Sequence, residues 1–349
     1  MKYESSISLL RSLIAIPSFS REEKDAADFF QQHIEAMGVK TCRKGNNIWA
    51  YAGEFDKQKK TVLLNSHIDT VKPVSSWTRD PFTPQIESGR LYGLGSNDAG
   101  ASLVSLLQTF MILKEKEQPY NLIFSCSAEE EVSGKNGCSA MMEELPKIDL
   151  AVVGEPTGMQ LAVAEKGLLV LDCTAHGVSG HAARNEGDNA IYHALKDMEW
   201  FRTYQFSKVS ELTGPVKMSV TIVNAGTLHN VVPDKCTFTV DVRVNECYTN
   251  MQVLDEIRKH VSCDVTPRST DKNSSSIPLD HPFVKCGQAL GLTCFGSPTS
   301  SDQMRIPYTS IKVGPGQSSR SHSADEYIEL DEIAQGIETY VRLLDGLVF

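Results

Sequence analysis

The stretch TVLLNSHID, Thr61 to Asp69, is apolar for most of its length and turns polar at its end, where His67 and Asp69 stand two residues apart. A short apolar run without alternation fits a strand buried on both faces, the kind found in parallel sheets covered by helices. Working outward, YNLIFSC at 120–126 and DLAVVG at 149–154 repeat the design, and the spacing predicts a helix from Asp98 to about Lys114 between the first two. On the other side, Ser20 and Glu23 form a capping-box signature, and Ala26, Phe29, His33 and Met37 keep helical spacing up to Gly38. Strands alternating with helices make this an α/β chain with a mostly parallel sheet and helices on both faces.

The style changes near Gly167. LLVLDCTA, KMSVTIVNAG and CTFTVDVRV alternate polar and apolar residues, as half-buried antiparallel strands do, and a helical run from Asn189 to about Tyr204 separates the first two. The serine-rich segment from Thr270 to Ser276 reads as a linker, after which Ile311 to Val313 and a final helix from Asp331 return to the first style. A second, α+β domain is therefore expected inside the first: 1–166 and 276–349 form one domain, interrupted by 167–275.

The 349 residues carry a formal net charge of −10, with 41% hydrophobic and 22% charged residues. That sign argues against a nucleic-acid partner, which needs basic stripes. No run approaches the ~18 apolar residues of a membrane span, and the N-terminus has Glu4 and serines where a secretion signal would be apolar. A cytoplasmic location is expected. The nine cysteines are odd in number and show no C-x-x-C spacing, so free thiols in a reducing compartment are expected. Any metal must be held by histidines and carboxylates.

Five clusters offer such groups. In an extended segment His67 and Asp69 share a face, so Asp69 can reach the imidazole and fix its tautomer; alone, the pair reads as an ordinary surface contact. Gly93-Leu94-Gly95-Ser96-Asn97-Asp98-Ala99-Gly100 places Asp98 where a helix begins, and an N-cap is the simpler reading of that residue. Its glycines match no phosphate-binding fingerprint. Glu129-Glu130-Glu131 would be an ordinary solvated patch on a helix, but at the end of an apolar strand the three would repel one another in the crevice until a cation relieved them. Glu155 follows the next strand, and His322-Ser323-Ala324-Asp325-Glu326 lies downstream of Gly314-Pro315-Gly316. Parallel sheets bind ligands at the C-terminal ends of their strands. A mixed histidine and carboxylate set there favours zinc, with cobalt second, over magnesium or calcium.

In this order and placement the clusters resemble the superfamily of zinc aminoacyl hydrolases that includes acetylornithine deacetylase, succinyl-diaminopimelate desuccinylase, carboxypeptidase G and aminoacylase. The resemblance covers nearly the whole chain. It implies two divalent metal ions, with His67 and Glu155 on one, Glu131 and His322 on the other, and Asp98 bridging. It further implies Asp69 orienting His67 and Glu130 as general base. The inserted domain becomes a ferredoxin-like lid through which the protein forms a homodimer. Gly180-His181-Ala182-Ala183-Arg184 looks like the family segment whose histidine reaches the partner's active site. Asn230 and Arg243, with the backbone at Gly314 and Gly316, are similar to groups that bind the substrate carboxylate.

Some positions depart from the family pattern: Leu94 stands for an arginine, Ala99-Gly100 for Met-Lys, and Asn185 for a proline. In this superfamily a glutamate at the position of Glu155 accompanies deacylases and carboxypeptidases, whereas aminopeptidases tend to carry aspartate. Glu165-Lys166-Gly167 and the Gly-Pro-Gly before His322 look most like the acetylornithine deacetylase branch. The resemblance thus implies hydrolysis of an Nα-acyl-L-ornithine, acetyl or succinyl, in arginine biosynthesis. Acetyl-lysine deacetylation, diaminopimelate desuccinylation and dipeptide cleavage rank behind it, and a non-catalytic amino-acid-binding relative is the alternative of another class.

Overall fold

Four parallel strands, Tyr120–Ser127, Lys60–His67, Leu150–Val153 and Ser310–Lys312, lie side by side in that order at the centre of a nine-stranded sheet. These coordinates are a computed structural model, which describes residues 3–184 and 186–349, so Asn185 lies outside the described residues. Every residue of Tyr120–Ser127 is buried, as is every residue of Lys60–His67 after Lys60. Water reaches neither face, so the apolar runs need no polar alternation. The hairpin of Thr41–Lys44 and Asn47–Tyr51 extends one side in antiparallel sense, and Leu161–Glu165 pairs antiparallel with Ser310–Lys312 on the other.

Side chains on successive positions explain how both faces are covered. Phe124 points to one face, where its ring meets Phe110 of helix Ala101–Leu113 at 5.9 Å and Phe30 of helix Lys24–Ala36 at 6.1 Å. Its neighbour Ile123 points to the other, into a cluster with Leu63, Ala151, Val153 and Met141 of helix Cys138–Met142. Burial of each such side chain contributes roughly 1.5–3 kcal/mol. The C-terminal helix Leu330–Leu344 packs on Ala101–Leu113 with Ile333, Ile337, Tyr340 and Leu344 buried.

The chain separates into two compact units: Met1–Val163 with Ser276–Phe295 and Ser301–Phe349, and Ala164–Ser275 with Gly296–Ser300. The short Gly296–Ser300 segment groups with the second unit although its neighbours on both sides belong to the first. The second unit runs strand, helix, two strands, helix, strand: Gly167–His176, Ala190–Thr203, Lys217–Ala225, Lys235–Val244, Asn250–His260 and Asp264–Pro267. Its four-stranded antiparallel sheet places the second strand first, then the third, the first and the fourth, which is ferredoxin-like topology. Burial alternates along Gly167–His176 and Lys235–Val244, and the inward positions, among them Leu171, Phe238 and Val240, pack on Phe201 and Leu254 of the two helices. Side chains cap both helices: Asn189 accepts from the Ile191 amide, and Thr249 with Gln252 forms a capping box.

Two expected helix starts are corrected. Ser20 does not cap the second helix, which begins at Lys24. Asp98 is not an N-cap either: the long helix begins at Ala101 with Gly100 as its N-cap, and Asp98 and Ala99 have non-helical dihedrals in the preceding turn. In both cases the polar side chain is taken up by the loops described next. All nine cysteines are free. Among the described residues, no helix is long and apolar enough to cross a membrane.

Candidate metal centre

The parallel strands end at one edge of the sheet, and the chain leaving them carries His67, the Glu129 to Glu131 run and Glu155. His67 is buried, and its Nδ1 lies 2.8 Å from the main-chain carbonyl oxygen of Asp69. A carbonyl only accepts, so Nδ1 carries a proton and Nε2 is the nitrogen turned to the crevice, where it donates to Asp98 when the ring is charged and would offer its lone pair to a metal. That nitrogen stands 3.3 Å from Asp98 Oδ1 and 3.8 Å from Glu155 Oε1. On the opposite side of Asp98, His322 Nε2 lies 3.7 Å from Oδ2 and 2.9 Å from Glu131 Oε2. Asp98 thus turns one oxygen to each histidine.

Asp69 does its work differently from the expectation. Its backbone, not its carboxylate, holds His67; the carboxylate oxygen is 3.7 Å from Nδ1. The fully buried carboxylate instead accepts from the amides of Glu130 and Glu131 at 3.0 and 3.1 Å and from the Ser20 hydroxyl at 2.6 Å. Asp69 therefore fixes the backbone that carries two acidic groups, and Ser20, freed from the capping role, fixes Asp69. The Glu run also divides. Glu129 has φ of 54° and its side chain accepts from Asn136, so only Glu130 and Glu131 belong to the clusters below.

The electrostatics follow from burying like charges together. Burial, then the nearby Glu155, pushes Glu130 well above the usual carboxylate range, with His67 opposing. Burial and Asp98 push Glu155 up to about 8, again against His67. Burial raises Asp98 too, but its hydrogen bond with His67, the charge on that ring, Ser321 and His322 together outweigh this and leave it below the ordinary aspartate value. His322 is pushed up to about 9 by its bond with Glu131. His67 rises although burial opposes the charge, because Asp98, Glu155 and Glu130 surround it. Such a set is short of positive charge. His67, Asp98 and Glu131, and likewise His67, Glu130 and Glu155, offer ligand atoms all within 4.8 Å of one another. Imidazole with carboxylate donors at that spacing suits divalent zinc or cobalt.

Gly314 and Gly316 adjoin this centre and serve close packing. A Cβ on Gly314 would stand 2.5 Å from the Glu155 main-chain oxygen, and Gly316 has φ of 89° with its Cα facing Asn97. The remaining predicted groups belong to the inserted unit. His181 is exposed, pairs with Val231 and accepts from the Ala183 amide, while Asn230 is exposed and its carbonyl accepts from the Ala182 amide. Arg243 is half-buried and makes two hydrogen bonds to Asp241, at 2.9 and 3.1 Å. The structure thus gathers Asp69 and the six acidic and histidine groups of the first unit, and leaves His181, Asn230 and Arg243 on the second.

Two buried carboxylates of the first unit went unrecognised in the sequence. Asp302 accepts from Asn65 and Ser127 and is pushed up to about 6 by burial. A lone aspartate among serines gives no signal. Glu326 stood inside the quoted His322 motif without a role, yet it takes three main-chain amides, as described below.

The sequence model of peptidase family M20/M25/M40 matches residues 63–346. Among curated relatives, succinyl-diaminopimelate desuccinylase 2 of Ruegeria sp. (strain TM1040) is 26% identical, over 97% of this chain and 94% of its own. The succinyl-diaminopimelate desuccinylase of Corynebacterium glutamicum is 30% identical, over 73% of this chain and 69% of its own. Among solved structures, the aminopeptidase PepT of Bacillus cereus superposes with a TM-score of 0.78 at 18% identity, covering 98% of each chain. A dinuclear metal-binding M20 peptidase of Bacillus subtilis gives 0.75 at 15% identity, again over 98% of each.

Proposed function

The chain belongs to peptidase family M20/M25/M40 and is an amidohydrolase acting on linear amides, and from that premise we propose that it is a two-metal hydrolase of small N-acyl-L-amino acids. The observation that carries the reading is Asp98, one oxygen facing His67 and the other His322. In this reading His67 and Glu155 would hold one metal, Glu131 and His322 the other, and Asp98 would be shared between them. Zinc is the first choice and cobalt the second, and the Bacillus subtilis structural relative is itself described as dinuclear.

Two bound divalent cations would supply an activated water and an electrophile for the amide carbonyl. Glu130 takes the proton of the attacking water and returns it to the departing amine. Its buried setting, which raises its proton affinity, suits a group that must hold a proton between those two steps. Asp69 keeps Glu130 and Glu131 in register through their amides. His181, Asn230, Arg243 and the backbone at Gly314 and Gly316 are assigned to substrate: His181 to the developing oxyanion, from the partner in a homodimer formed through the inserted unit, and the others to the α-carboxylate.

For the acyl amino acid, N-acetyl- or N-succinyl-L-ornithine is the substrate that Glu155 and the motifs around it favour. N-succinyl-diaminopimelate is the second reading, favoured by the names of relatives that are 26% and 30% identical. The test is metal analysis of the purified protein together with amine release from acetyl- and succinyl-ornithine, acetyl-lysine and succinyl-diaminopimelate, with and without a chelator. We expect about two metals per chain and chelator-sensitive release from one member of the panel. A metal-free protein that releases nothing would favour the amino-acid-binding alternative.

A further inference from the structure

Glu326 comes from the segment that carries His322, more than two hundred residues beyond the Gly93 to Gly100 loop, yet its side chain lies beneath that loop. It is 2% exposed. Oε1 accepts from the amides of Asn97 at 2.7 Å and Asp98 at 2.9 Å, and Oε2 accepts from the amide of Gly95 at 3.1 Å. The main-chain oxygen of the same residue accepts from the Gly93 amide at 3.0 Å. One residue thus takes four amides of the turn that presents the bridging aspartate. None of those amides is satisfied by a helix, because the turn has non-helical dihedrals at Asp98 and Ala99.

A second tie runs between the same two segments. The Asn97 side chain donates to the Gln317 carbonyl at 3.1 Å and to Ser321 Oγ at 3.3 Å, and accepts from the Gln317 amide at 2.9 Å. Asp98 and His322 are one residue away from these contacts. Three hydrogen bonds from buried amides engage both carboxylate oxygens and hold the side chain in one orientation, and they are charge-assisted whenever the carboxylate is ionised.

We propose that Glu326 is a positioning residue of the metal centre: it locks the Asp98 turn to the His322 segment, so that bridging carboxylate and second-metal histidine are held at a fixed separation before any metal arrives. This rests on the two-metal reading and deepens it. Glu326 is not itself a ligand, since its oxygens are spent on amides. Its effect is to spare an arriving ion the cost of ordering two loops, which is how residues behind metal ligands commonly tune affinity.

The test uses the full chain with Glu326→Gln and Glu326→Ala, reading metal affinity by chelator competition, thermal melting of the chelated protein, and kcat and KM at saturating metal. Gln keeps one carbonyl oxygen for the Asn97 and Asp98 amides but sets an NH2 against the Gly95 amide, so the loss is graded. We expect affinity for the weaker metal to fall about 10-fold in Gln and about 100-fold in Ala, with KM within about twofold and kcat largely recovered by excess metal. Wild-type affinity in both folded variants would overturn the inference and leave the two-metal reading standing; a wild type that binds no metal would remove that reading first. Should the variants not fold, amide exchange in the chelated wild type decides. Slow exchange at Gly95, Asn97 and Asp98 is expected, and exchange at the free-peptide rate overturns the lock.

Discussion

Charged side chains behave in opposite ways in the two units of this protein. In the first, strands Lys60–His67 and Tyr120–Ser127 are buried along their length, and charge gathers where they end. In the second, one face of the sheet is wet, and charged residues sit along the strands and pair locally: Arg243 with Asp241, and Arg268 with Asp172 through two contacts of 2.9 Å. The first arrangement drives Glu130, Glu155 and His322 away from their ordinary pKa values. In the second, Asp172 is merely lowered by its arginine. A carboxylate means different things in the two places because solvent answers for it in one and only another group or a cation can in the other.

The contrast is most exposed at Glu130. Glu130→Gln keeps the shape, leaves the metal ligands of the proposed centre intact and removes the proton carrier. We expect kcat to fall about 100- to 10,000-fold with metal content unchanged by elemental analysis. An active variant would break the assignment and make Glu130 one more crowded carboxylate.

An intermediate effect concerns pH in the absence of metal. Glu155 is held up to about 8 against an ordinary 4.5, and His322 up to about 9 against 6.5. Both groups keep protons in the folded state that the unfolded chain has already released. Folding stability of the chelated protein therefore falls as pH rises from 4.5 towards 9, the window set by those two residues. Saturating zinc displaces the protons and removes or reverses the slope. Melting temperatures across that range, with chelator and with zinc, check this; a flat profile with chelator would mean that the crevice is not short of cations.

The smallest effect belongs to the inserted unit. Arg268 and Asp172 are about half exposed, at 56% and 49% of their side chains, where solvent screens an ion pair. Arg268→Ala should leave kcat/KM unchanged and shift the melting midpoint by no more than about 2 °C. A large loss would show that charge on this sheet is as consequential as charge at the strand ends.

Much of this was legible before any coordinates. The apolar runs at 61–66 and 120–126 announced buried parallel strands, and the alternation in LLVLDCTA and CTFTVDVRV announced a sheet with one wet face. Local capping signals were less dependable: Asn189 caps its helix, whereas Ser20 gives its hydroxyl to Asp69. A serine three residues before a glutamate is compatible with either outcome, and a buried carboxylate forty-nine positions away decided it. The short hairpin Thr41–Lys44 and Asn47–Tyr51 left no comparable pattern. Strands of four and five residues carry too few positions for a period to show.

The sequence by itself determined which chemistry could occur: two histidines and a set of carboxylates, each at the end of a strand or in a loop near one. Those types and that order are covalent facts, and hydrophobic periodicity is enough to say which end of the sheet they occupy. Only the tertiary structure decided what each carboxylate is for. Asp69 serves the amides of Glu130 and Glu131 rather than the His67 ring, Glu129 turns away to Asn136, and Glu326 pins the Asp98 turn. A carboxylate has two acceptor oxygens and no intrinsic partner. Which donors reach it depends on how the loops fold: they come from 7 positions away for Glu129, from 61 for Asp69 and from 228 for Glu326, and no sequence pattern records which of them arrives.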